Sequence, residues 1–541
     1  MKFKRKMPGA GSIAVVAIAA LVASCGGGDG GHPGFGFGAG IAPAPVPVPN
    51  PAPVANDPPV TAQRACTLLA GTKAAGATVL AAVEVPADGD VPLYCKVTAR
   101  IDPALNLEMR IPNEWNGKLQ YTGGGGFDGS IPPLNVLSLG ALKQGYVTVS
   151  SDSGHQAPDS DASWAIGNPQ AEALFGYLSV PTVMASALAM VKTAYGKAPT
   201  RSYFEGCSNG GREGLIAAQR NPALFDGVAA RAPALNFVGA MGAFNRNVKA
   251  VLAPGGMFTP AKVALLSNAV LAACDAKDGV ADGIVSNPSA CSFDAKALRC
   301  SGGADTGDSC LSDAQLAVVD SWTTPATFAG GAYRNPGWAL SGNESTPGAG
   351  WDAWLLGRMT AQFILQDSGI KSFIARDLTI DTLTYPFESN LAALAHMSAT
   401  LDATNPDLQA FRQRGGKLML WHGGADPALS ARTTTQYYKD AVAAAGGQAE
   451  ADAFTRFYIS PGVAHCMGGP GADTSDLLTS LDQWVEKGVA PQVLASAKLA
   501  ADGSTSLSRP LCPYPQYPRY TGSAGDAVAA TVAANFSCTS P

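Results

Sequence analysis

The sequence predicts an α/β protein in which helices cover a parallel sheet and a long inserted segment interrupts that sheet. From about Thr61 onward, short apolar runs alternate with stretches of helical periodicity, a pattern typical of parallel sheets. Between residues 236 and 406 this alternation gives way to loops and helical pieces. The chain has 541 residues, and at ~150 residues per domain this length leaves room for an insertion.

The composition excludes two classes of protein. Apolar residues make up 46% of the chain and charged residues 15%, so the chain can bury a core and is not disordered as a whole. The net charge is -5, and no basic block follows the first six residues. We therefore expect no nucleic-acid partner, because binding to phosphates depends on clustered basic side chains.

The first 60 residues predict export. Residues 1–25 combine basic residues, an apolar run and small residues, which is the layout of a signal peptide, and the run is too short to span a bilayer. The run ends at Cys25 as in bacterial lipoproteins, where this cysteine is lipidated; an ordinary cleavage site is the alternative. Residues 26–60, rich in Gly and Pro, predict a linker. We expect a bacterial cell-envelope protein that is lipid-anchored at Cys25, in the outer membrane, or else secreted.

The folded part divides into three predicted segments. Residues 61–235 and 407–541 form the sheet domain, and residues 236–406 form an inserted lid domain. Strands are expected at Leu119–Thr122, Tyr146–Ser151, Arg201–Glu205, Gly227–Arg231, Lys417–Trp421 and Ala453–Ile459. Helices are expected at Glu172–Tyr195, Arg212–Arg220 and Ala431–Ala445.

Eleven cysteines in an exported chain indicate disulfides. Without Cys25, ten remain, and they could pair in many ways. Close spacing favours Cys66–Cys95, Cys274–Cys291, Cys300–Cys310 and Cys512–Cys538. Cys207 and Cys466 are left over, far apart in sequence.

A candidate nucleophile follows the strand at Arg201–Glu205. Gly206-Cys207-Ser208-Asn209-Gly210 matches the G-x-S-x-G pattern and precedes a predicted helix, which is the strand-turn-helix context of a nucleophile elbow. The alternative is a glycine-rich turn with a solvent-facing serine. The pattern predicts that Ser208 attacks an acyl group.

The serine needs a base, and the chain has five histidines: His32, His155, His396, His422 and His465. In α/β-hydrolases the acid and then the histidine follow two successive late strands. Asp426 and His465 fit that order, whereas we interpret His422 and His155 as structural residues. A hydrogen-bonded Ser208–His465 pair would bring the adjacent cysteines close to disulfide distance, which predicts the bridge Cys207–Cys466.

Acyl transfer also requires donors for the oxyanion. The amide of Asn209, directly after the serine, is one candidate. The glycine run Gly123–Gly126 follows an early strand, and we expect Gly125 to supply the second donor. As a phosphate loop this run lacks the required Lys and Ser/Thr.

Asp275, Asp278 and Asp282 lie in a short loop that begins at Cys274. Together with the backbone carbonyls of Val280 and Ile284 they would suit calcium, which prefers oxygen ligands. The spacing is not that of an EF-hand, and Asp-Gly pairs also occur in plain surface turns. A calcium ion here would stabilise the lid.

The Gly-Cys-Ser-Asn-Gly-Gly elbow, the His465-Cys466 pair, the aspartate loop and Arg509–Pro515 together resemble the tannase and feruloyl esterase family. The resemblance spans about residues 66–538. It implies an α/β-hydrolase fold with a lid and a Ser208, Asp426 and His465 triad. It also implies the Cys207–Cys466 disulfide and calcium ligands at Asp275, Asp278, Val280, Asp282 and Ile284.

Within that family the leader and the five disulfides look most like the bacterial hydrolases of terephthalate monoesters. We therefore expect a monomeric serine carboxylesterase for small esters of aromatic acids. A feruloyl esterase or tannase is the alternative, and a non-catalytic binding lipoprotein a remote one. The predicted lid contains aromatic side chains for an acyl slot: Trp322, Tyr333, Trp338, Trp351, Trp354, Phe363 and Phe373. Arg358 and Arg376 are candidates to bind a substrate carboxylate.

Overall fold

The structure, a computed structural model, describes residues 61–523 and 525–541. The predicted signal peptide, the linker, the Cys25 lipidation site and His32 lie outside the described residues.

The described strands, in chain order, are β1 (Lys73–Ala74), β2 (Ala77–Val85), β3 (Tyr94–Ile101), β4 (Leu105–Pro112), β5 (Lys118–Thr122), β6 (Val147–Ser151), β7 (Arg201–Cys207), β8 (Gly227–Arg231), β9 (Ala326–Phe328), β10 (Tyr333–Asn335), β11 (Lys417–Gly423), β12 (Thr455–Ser460), β13 (Leu494–Leu499), β14 (Thr505–Leu511), β15 (Tyr517–Tyr520) and β16 (Phe536–Thr539).

The described α-helices are α1 (Ala62–Leu69), α2 (Leu134–Leu137), α3 (Leu139–Lys143), α4 (Pro169–Ala173), α5 (Ser179–Tyr195), α6 (Asn209–Arg220), α7 (Phe237–Leu252), α8 (Pro260–Cys274), α9 (Asp313–Thr323), α10 (Trp351–Trp354), α11 (Ala361–Gly369), α12 (Leu391–Leu401), α13 (Gln409–Gln413), α14 (Ala431–Ala445), α15 (Gln448–Asp452) and α16 (Leu477–Lys487). Two π-helical segments, Leu174–Leu178 and Ile370–Ala375, continue α4 and α11. The 3-10 turns are Ser163–Ala165, Asp275–Asp278, Pro288–Ala290, Ala295–Leu298, Ser301–Gly303, Ala329–Gly331, Ala529–Thr531 and Ala533–Asn535.

Ten strands form one mixed sheet in the order β1-β2-β3-β4-β6-β5-β7-β8-β11-β12. From β6 to β12 neighbouring strands are parallel, as the sequence predicts. The expectation of a parallel sheet is wrong for β1–β4, which pair antiparallel, as do β4 and β6. Only residues 102–104 connect β3 to β4, and so short a connection suits an antiparallel hairpin, whereas a parallel crossover needs a dozen residues or more.

The predicted lid interrupts the sheet between two neighbouring strands. β8 pairs directly with β11, so residues 232–416 leave and re-enter the sheet at one place. This insertion contains α7–α13 and the two-stranded sheet β9-β10. It has its own apolar core around the buried side chains of Trp322, Trp338 and Trp351, and this core also includes Phe127 and Phe175 from the sheet domain. The insertion therefore packs on the sheet domain.

The helical stretch Pro169–Tyr195 is long and apolar enough to cross a membrane, but 61% of its most apolar window is buried inside the fold. It includes α4, the π-helical turn and α5, and it replaces the single predicted helix Glu172–Tyr195. α5 buries Val183, Ala187 and Met190 in the main core. We interpret it as a core helix.

The loops that carry the predicted site residues leave the same edge of the sheet. β5, β7, β11 and β12 run parallel, and their carboxyl ends lead into the glycine run, Ser208, Asp426 and His465. Open α/β sheets bind ligands at this edge. The fold therefore brings all four loops to one crevice.

Candidate active site

Ser208 lies on a sharp turn between β7 and α6. Its backbone has φ 61° and ψ -121°, a left-handed conformation that is strained for a residue with a side chain. The turn depends on its glycines: a Cβ on Gly206 would lie 2.6 Å from the carbonyl carbon of Gly210, and one on Gly210 would lie 2.7 Å from the carbonyl oxygen of Gly124. Ser208 itself is only partly buried. This geometry matches a nucleophile elbow.

Asp426 and His465 form a hydrogen-bonded pair. They follow β11 and β12, whose last residues Gly423 and Ser460 are paired in register. His465 Nδ1 lies 2.8 Å from Asp426 Oδ2, so Nδ1–H donates and Nε2 remains for the serine. The Asp426 side chain is fully buried, and that of His465 is 12% exposed.

Four donors surround the Asp426 carboxylate. Its Oδ1 accepts from the amides of Ala428 at 2.8 Å and Leu429 at 3.0 Å. Its Oδ2 accepts from His465 and lies 3.1 Å from His422 Nε2. Burial alone would raise the pKa of Asp426, but the interactions with His465 and His422 outweigh it and hold this pKa below its ordinary value. Asp426 is therefore ionised and able to stabilise an imidazolium.

His422 is fully buried and supports the acid. Its Nε2 lies 2.9 Å from the carbonyl oxygen of Leu429 as well as near Asp426, so Nε2 faces two acceptors and carries the hydrogen. Its Nδ1 lies 2.9 Å from Thr434 Oγ1. The ring is thus held by contacts at both of its nitrogens.

A disulfide links the serine loop to the histidine loop. Cys207 and Cys466 are bonded, with Cα atoms 6.0 Å apart, and they directly neighbour Ser208 and His465. The Ser208 hydroxyl makes no hydrogen bond to another side chain in the described part of the chain. In ligand-free enzymes such bonds are often long and shorten when substrate binds. The other four predicted disulfides are also formed.

The glycine run after β5 lies against the start of α6. Gly210 donates its amide hydrogen to the carbonyl oxygen of Gly124 at 2.9 Å. The Gly125 amide has no acceptor among the described residues, and Gly125 is exposed. Asn209 is buried, and its Nδ2 donates to Asp128 Oδ2 at 2.9 Å, which fixes the first residue of the helix. Both predicted oxyanion donors thus lie at the same crevice.

One lid aromatic contacts the histidine. The Trp354 ring lies edge-on to His465, with centroids 5.1 Å apart. Trp322, Trp338 and Trp351 instead pack against one another inside the lid core, and Phe373 is buried there as well. Among the described residues, Trp354 is therefore the predicted lid aromatic whose ring pairs with that of His465.

The two candidate arginines differ in whether their guanidinium group already has an acidic partner. Arg376 donates through both terminal nitrogens to the Glu172 carboxylate, an ion pair between residues that are 204 positions apart. Because this guanidinium group is already paired, we no longer consider Arg376 a candidate to bind a substrate carboxylate. Arg358 is exposed, makes no ion pair among the described residues, and lies 5.4 Å from the centre of the Phe363 ring.

The remaining described histidines, His155 and His396, lie apart from the Asp426–His465 pair. His155 Nε2 donates to the carbonyl oxygen of Phe127 at 2.8 Å, and the ring stacks on Trp164. Burial lowers the pKa of His155, so it is neutral. His396 lies 3.0 Å from Glu172, and its side chain is 54% exposed. Both are structural in this arrangement.

A family comparison agrees with these features. Residues 90–539 match the model for "Tannase and feruloyl esterase". The chain belongs to the tannase and feruloyl esterase family. The predicted resemblance is thereby confirmed.

The relatives with named activities include a bacterial and a fungal enzyme. The chain is 35% identical over 526 residues to a mono(2-hydroxyethyl) terephthalate hydrolase of Piscinibacter sakaiensis, with 83% of this chain and 85% of the relative covered. It is 29% identical over 495 residues to feruloyl esterase B of Aspergillus niger, with 87% and 92% covered. This protein is accordingly a carboxylic ester hydrolase, as the sequence predicts.

A solved structure identifies the fold. The crystal structure of feruloyl esterase B from Aspergillus oryzae superimposes with a TM-score of 0.79 at 24% identity and covers 88% of this chain and 100% of that one. This likeness confirms that the protein has the α/β-hydrolase fold.

The predicted calcium loop has an oxygen-rich donor set. Asp275 Oδ2 accepts the Gly283 amide at 2.7 Å, while Asp275 Oδ1 is buried and has no partner among the described residues. Asp278 Oδ2 accepts the Ser286 amide, and Asp282 pairs with Arg509. Burial raises the pKa of Asp278 to about 6, and the charge of Asp282 contributes to that shift.

Within the described residues no three His, Cys, Asp or Glu side chains already form a metal cluster. The orphaned, buried Asp275 oxygen and the all-oxygen donor set nevertheless fit calcium, a hard cation. The disulfide Cys274–Cys291 closes the loop.

Sequence reasoning missed two buried acids beside the serine. Asp128 follows the glycine run, and Glu213 lies on the second turn of α6. Both are almost completely buried. The available signal was an Arg-Glu pair placed among the small and apolar residues of the elbow helix, where a charged pair is unusual unless it has partners.

Proposed function

We propose that this chain is an exported serine carboxylesterase that hydrolyses esters of aromatic carboxylic acids through a Ser208, His465 and Asp426 triad. The hydrogen bond between His465 and Asp426, placed next to Ser208 by the Cys207–Cys466 disulfide, is the observation that carries the proposal. A protein that only binds would need neither an activated serine nor an oriented base.

In the proposed mechanism Ser208 Oγ attacks the ester carbonyl carbon while His465 Nε2 takes its proton. Asp426 stabilises the resulting imidazolium, and the amides of Asn209 and Gly125 donate to the oxyanion. The tetrahedral intermediate collapses as His465 gives its proton to the leaving alcohol, which leaves an acyl group on Ser208. Water, activated by His465, then attacks the acyl-enzyme and releases the acid and the free serine.

The substrate class follows from the lid and the relatives. Trp354 beside His465 offers a flat apolar surface next to the reacting carbonyl, as an aromatic acyl group requires. We infer a terephthalate monoester as the preferred substrate, because the bacterial relative named for that activity is 35% identical. Arg358 is then the remaining candidate, of the two that the sequence suggested, to bind the free carboxylate.

A plant phenolic ester is the second candidate. Relatives named feruloyl esterase support it, and Arg376, one of the two arginines named as candidates for the carboxylate, is already paired with Glu172. A ferulate ester has no free carboxylate and needs no such cation.

Export and a structural calcium ion complete the proposal. Five disulfides favour an oxidising compartment outside the cytosol, as the predicted leader does. Calcium would be held by the carboxylates of Asp275, Asp278 and Asp282 and the carbonyls of Val280 and Ile284. Its role would be to hold the acids of one loop together, with no part in the reaction.

Purified protein should be assayed on mono(2-hydroxyethyl) terephthalate, methyl ferulate, methyl gallate and a butyrate ester, with Ser208→Ala as the blank. We expect turnover of aromatic-acid esters, fastest on the terephthalate monoester. Faster turnover of methyl ferulate or methyl gallate would favour the second candidate. A preference for butyrate would contradict an aromatic acyl slot.

A further inference from the structure

Two acidic side chains lie buried beneath the predicted oxyanion loop. Asp128 is 2% exposed and Glu213 is 4% exposed. The Ser153 hydroxyl lies between them, 2.7 Å from Asp128 Oδ2 and 3.2 Å from Glu213 Oε1. A hydroxyl has a single hydrogen to donate, so it can satisfy only one of the two acids at a time. The pair thus shares one bridging donor.

Each acid holds a different part of the oxyanion hole. Glu213 Oε2 accepts the amide of Gly124, next to Gly125, at 3.0 Å. Asp128 Oδ2 accepts Asn209 Nδ2 at 2.9 Å. Asp128 Oδ1 occupies the space beside Gly124, where an added Cβ would come within 2.0 Å of it. The two acids therefore meet at Gly124 and connect both predicted donor segments.

Among the described residues, no cationic side chain donates a hydrogen bond to either acid. Arg212, the buried cation nearest to it along α6, donates to Asn209 Oδ1 at 2.6 Å and to the carbonyl oxygens of Phe175 and Gly176, and to neither acid. Asp128 Oδ1 has no donor among the described residues. Two ionised carboxylates this close in a dry site repel each other, and sharing one proton removes that repulsion.

The other ionisable groups around the pair do not remove the repulsion between the two carboxylates. Asp152 is buried and accepts hydrogen bonds from four donors of its own. The Tyr121 hydroxyl is hydrogen-bonded to the Ser151 hydroxyl, and His155 is neutral. Burial first, and then the charge of Glu213, raise the pKa of Asp128 well above its ordinary value.

We propose that Asp128 and Glu213 share one proton and act as positioning residues that hold the Gly125 and Asn209 amides in place for the oxyanion. This inference rests on the proposed esterase mechanism for its kinetic consequences, but the shared proton itself does not depend on it. The shared proton also keeps the pair at one negative charge. A second negative charge beneath the developing oxyanion would destabilise that oxyanion. The positioning would matter in the transition state and hardly in substrate binding.

Infrared spectroscopy tests the proton. Wild-type protein at neutral pH should show the carbonyl band of a buried protonated carboxyl group. Asp128→Asn should remove that band, because Glu213 then loses the partner with which it shares the proton. Asp152→Asn is the matched control, a buried acid with four donors, and should leave the band in place. A band that is absent in the wild type, or that survives in Asp128→Asn, would overturn the shared proton.

Steady-state kinetics test the positioning role. Asn is the neutral isostere of a protonated Asp, so we expect Asp128→Asn to retain kcat within about threefold, whereas Asp128→Ala should lose about 10-fold or more, less than the 10² to 10³ for removing an oxyanion donor outright. KM should change little in both variants. In the wild type kcat should fall at alkaline pH as the shared proton dissociates, and Asp128→Asn should lack that decline.

Equal losses of kcat in Asp128→Asn and Asp128→Ala, or an alkaline decline that persists in Asp128→Asn, would contradict the positioning role. If Asp128→Ala does not fold, the infrared band and the pH profile of Asp128→Asn still decide the question. Failure of the esterase mechanism would instead appear as activity retained by Ser208→Ala, with the band unaffected.

Discussion

At the residue scale, the surroundings of the Asp426 carboxylate suit the role of acid in the proposed triad. Both of its oxygens are occupied by donors, two from the backbone and two from histidines. Three hydrogen bonds and the nearby His422 Nε2, 3.1 Å from Oδ2, stabilise this carboxylate as an anion, which keeps its charge next to His465. His422 contributes to this by fixing the acid loop through Leu429.

Substitutions should separate the proposed roles of the base, the acid and the supporting histidine. His465→Ala should reduce kcat by about 10⁶-fold, because serine and histidine act as one unit. Asp426→Asn should cost about 10⁴-fold, because the amide favours the wrong histidine tautomer. His422→Ala should cost less than either. Rates on one aromatic ester measure these losses.

The control for the histidine is His396→Ala, which removes a mostly exposed imidazole that contacts Glu172. It should leave kcat intact. If His422→Ala abolished turnover while His465→Ala preserved it, the assignment of the base would be wrong.

At the element scale, the turn after β7 and the loop after β12 are joined covalently. The Cys207–Cys466 bridge spans 259 residues of sequence, and it connects two loops that no strand pairing links directly. Since it neighbours both Ser208 and His465, it limits how far the base can move from the nucleophile. We therefore expect it to affect turnover as well as stability.

Replacing both Cys207 and Cys466 by Ala should lower stability and kcat together. The chain-entropy model gives roughly 5 kcal/mol for a loop of this length and roughly 3 kcal/mol for a short one. The matched control is the double Ala variant of Cys300 and Cys310, which are 10 residues apart in the lid. It should lower Tm less and leave kcat intact. Equal kcat in both double variants would mean that the bridge does not position the base.

The aspartate loop after α8 predicts a dependence on calcium. Chelation should lower Tm and added calcium should restore it, because a ligand bound only by the folded state stabilises that state. Asp275→Asn should abolish the response, since it changes the carboxylate whose Oδ1 lacks a partner. Thermal unfolding with and without chelator measures the shift.

Asp294→Asn is the control, an exposed aspartate in the same part of the lid. It should respond to calcium like the wild type. A Tm that is insensitive to chelation, or bound zinc in the untreated protein, would contradict the calcium proposal.

Elements near the site were easier to predict than those far from it. The strand at Gly227–Arg231 and the helix at Ala431–Ala445 match the structure because parallel core strands and their helices have strong local periodicity. β2 and β3 were not predicted. β2 is nearly all apolar although Leu80 and Val83 are exposed, so its composition does not show which face is buried.

At the scale of the whole molecule, an inserted segment with its own core covers one end of the sheet. The sequence predicts the insertion but not which of its aromatics reaches the site. Trp322, Trp338 and Trp351 stack within the lid, whereas Trp354 meets His465. The distinction depends on packing between segments more than 100 residues apart. The same holds for the Glu172–Arg376 pair.

Substrate choice should follow from these lid contacts. Trp354→Ala should reduce turnover of aromatic-acid esters more than that of a butyrate ester of similar size, because it removes a flat apolar surface. Arg358→Ala should raise KM for mono(2-hydroxyethyl) terephthalate and hardly affect methyl ferulate. Steady-state kinetics on the three esters provide the comparison.

Arg376→Ala is the matched control, because it breaks a structural ion pair and should affect both aromatic esters equally. Equal losses on both esters in Arg358→Ala would argue against a carboxylate-binding role. A larger effect of Trp354→Ala on the butyrate ester would argue against the aromatic slot.

The central claim is that Ser208 is an activated nucleophile, and covalent labelling tests it most directly. The protein should be treated with a fluorophosphonate and its peptides mapped by mass spectrometry. We predict a single adduct on the peptide that contains Ser208, lost in Ser208→Ala and formed much more slowly in His465→Ala. An unlabelled Ser208 in protein that still hydrolyses esters, or an adduct on another serine, would contradict the claim.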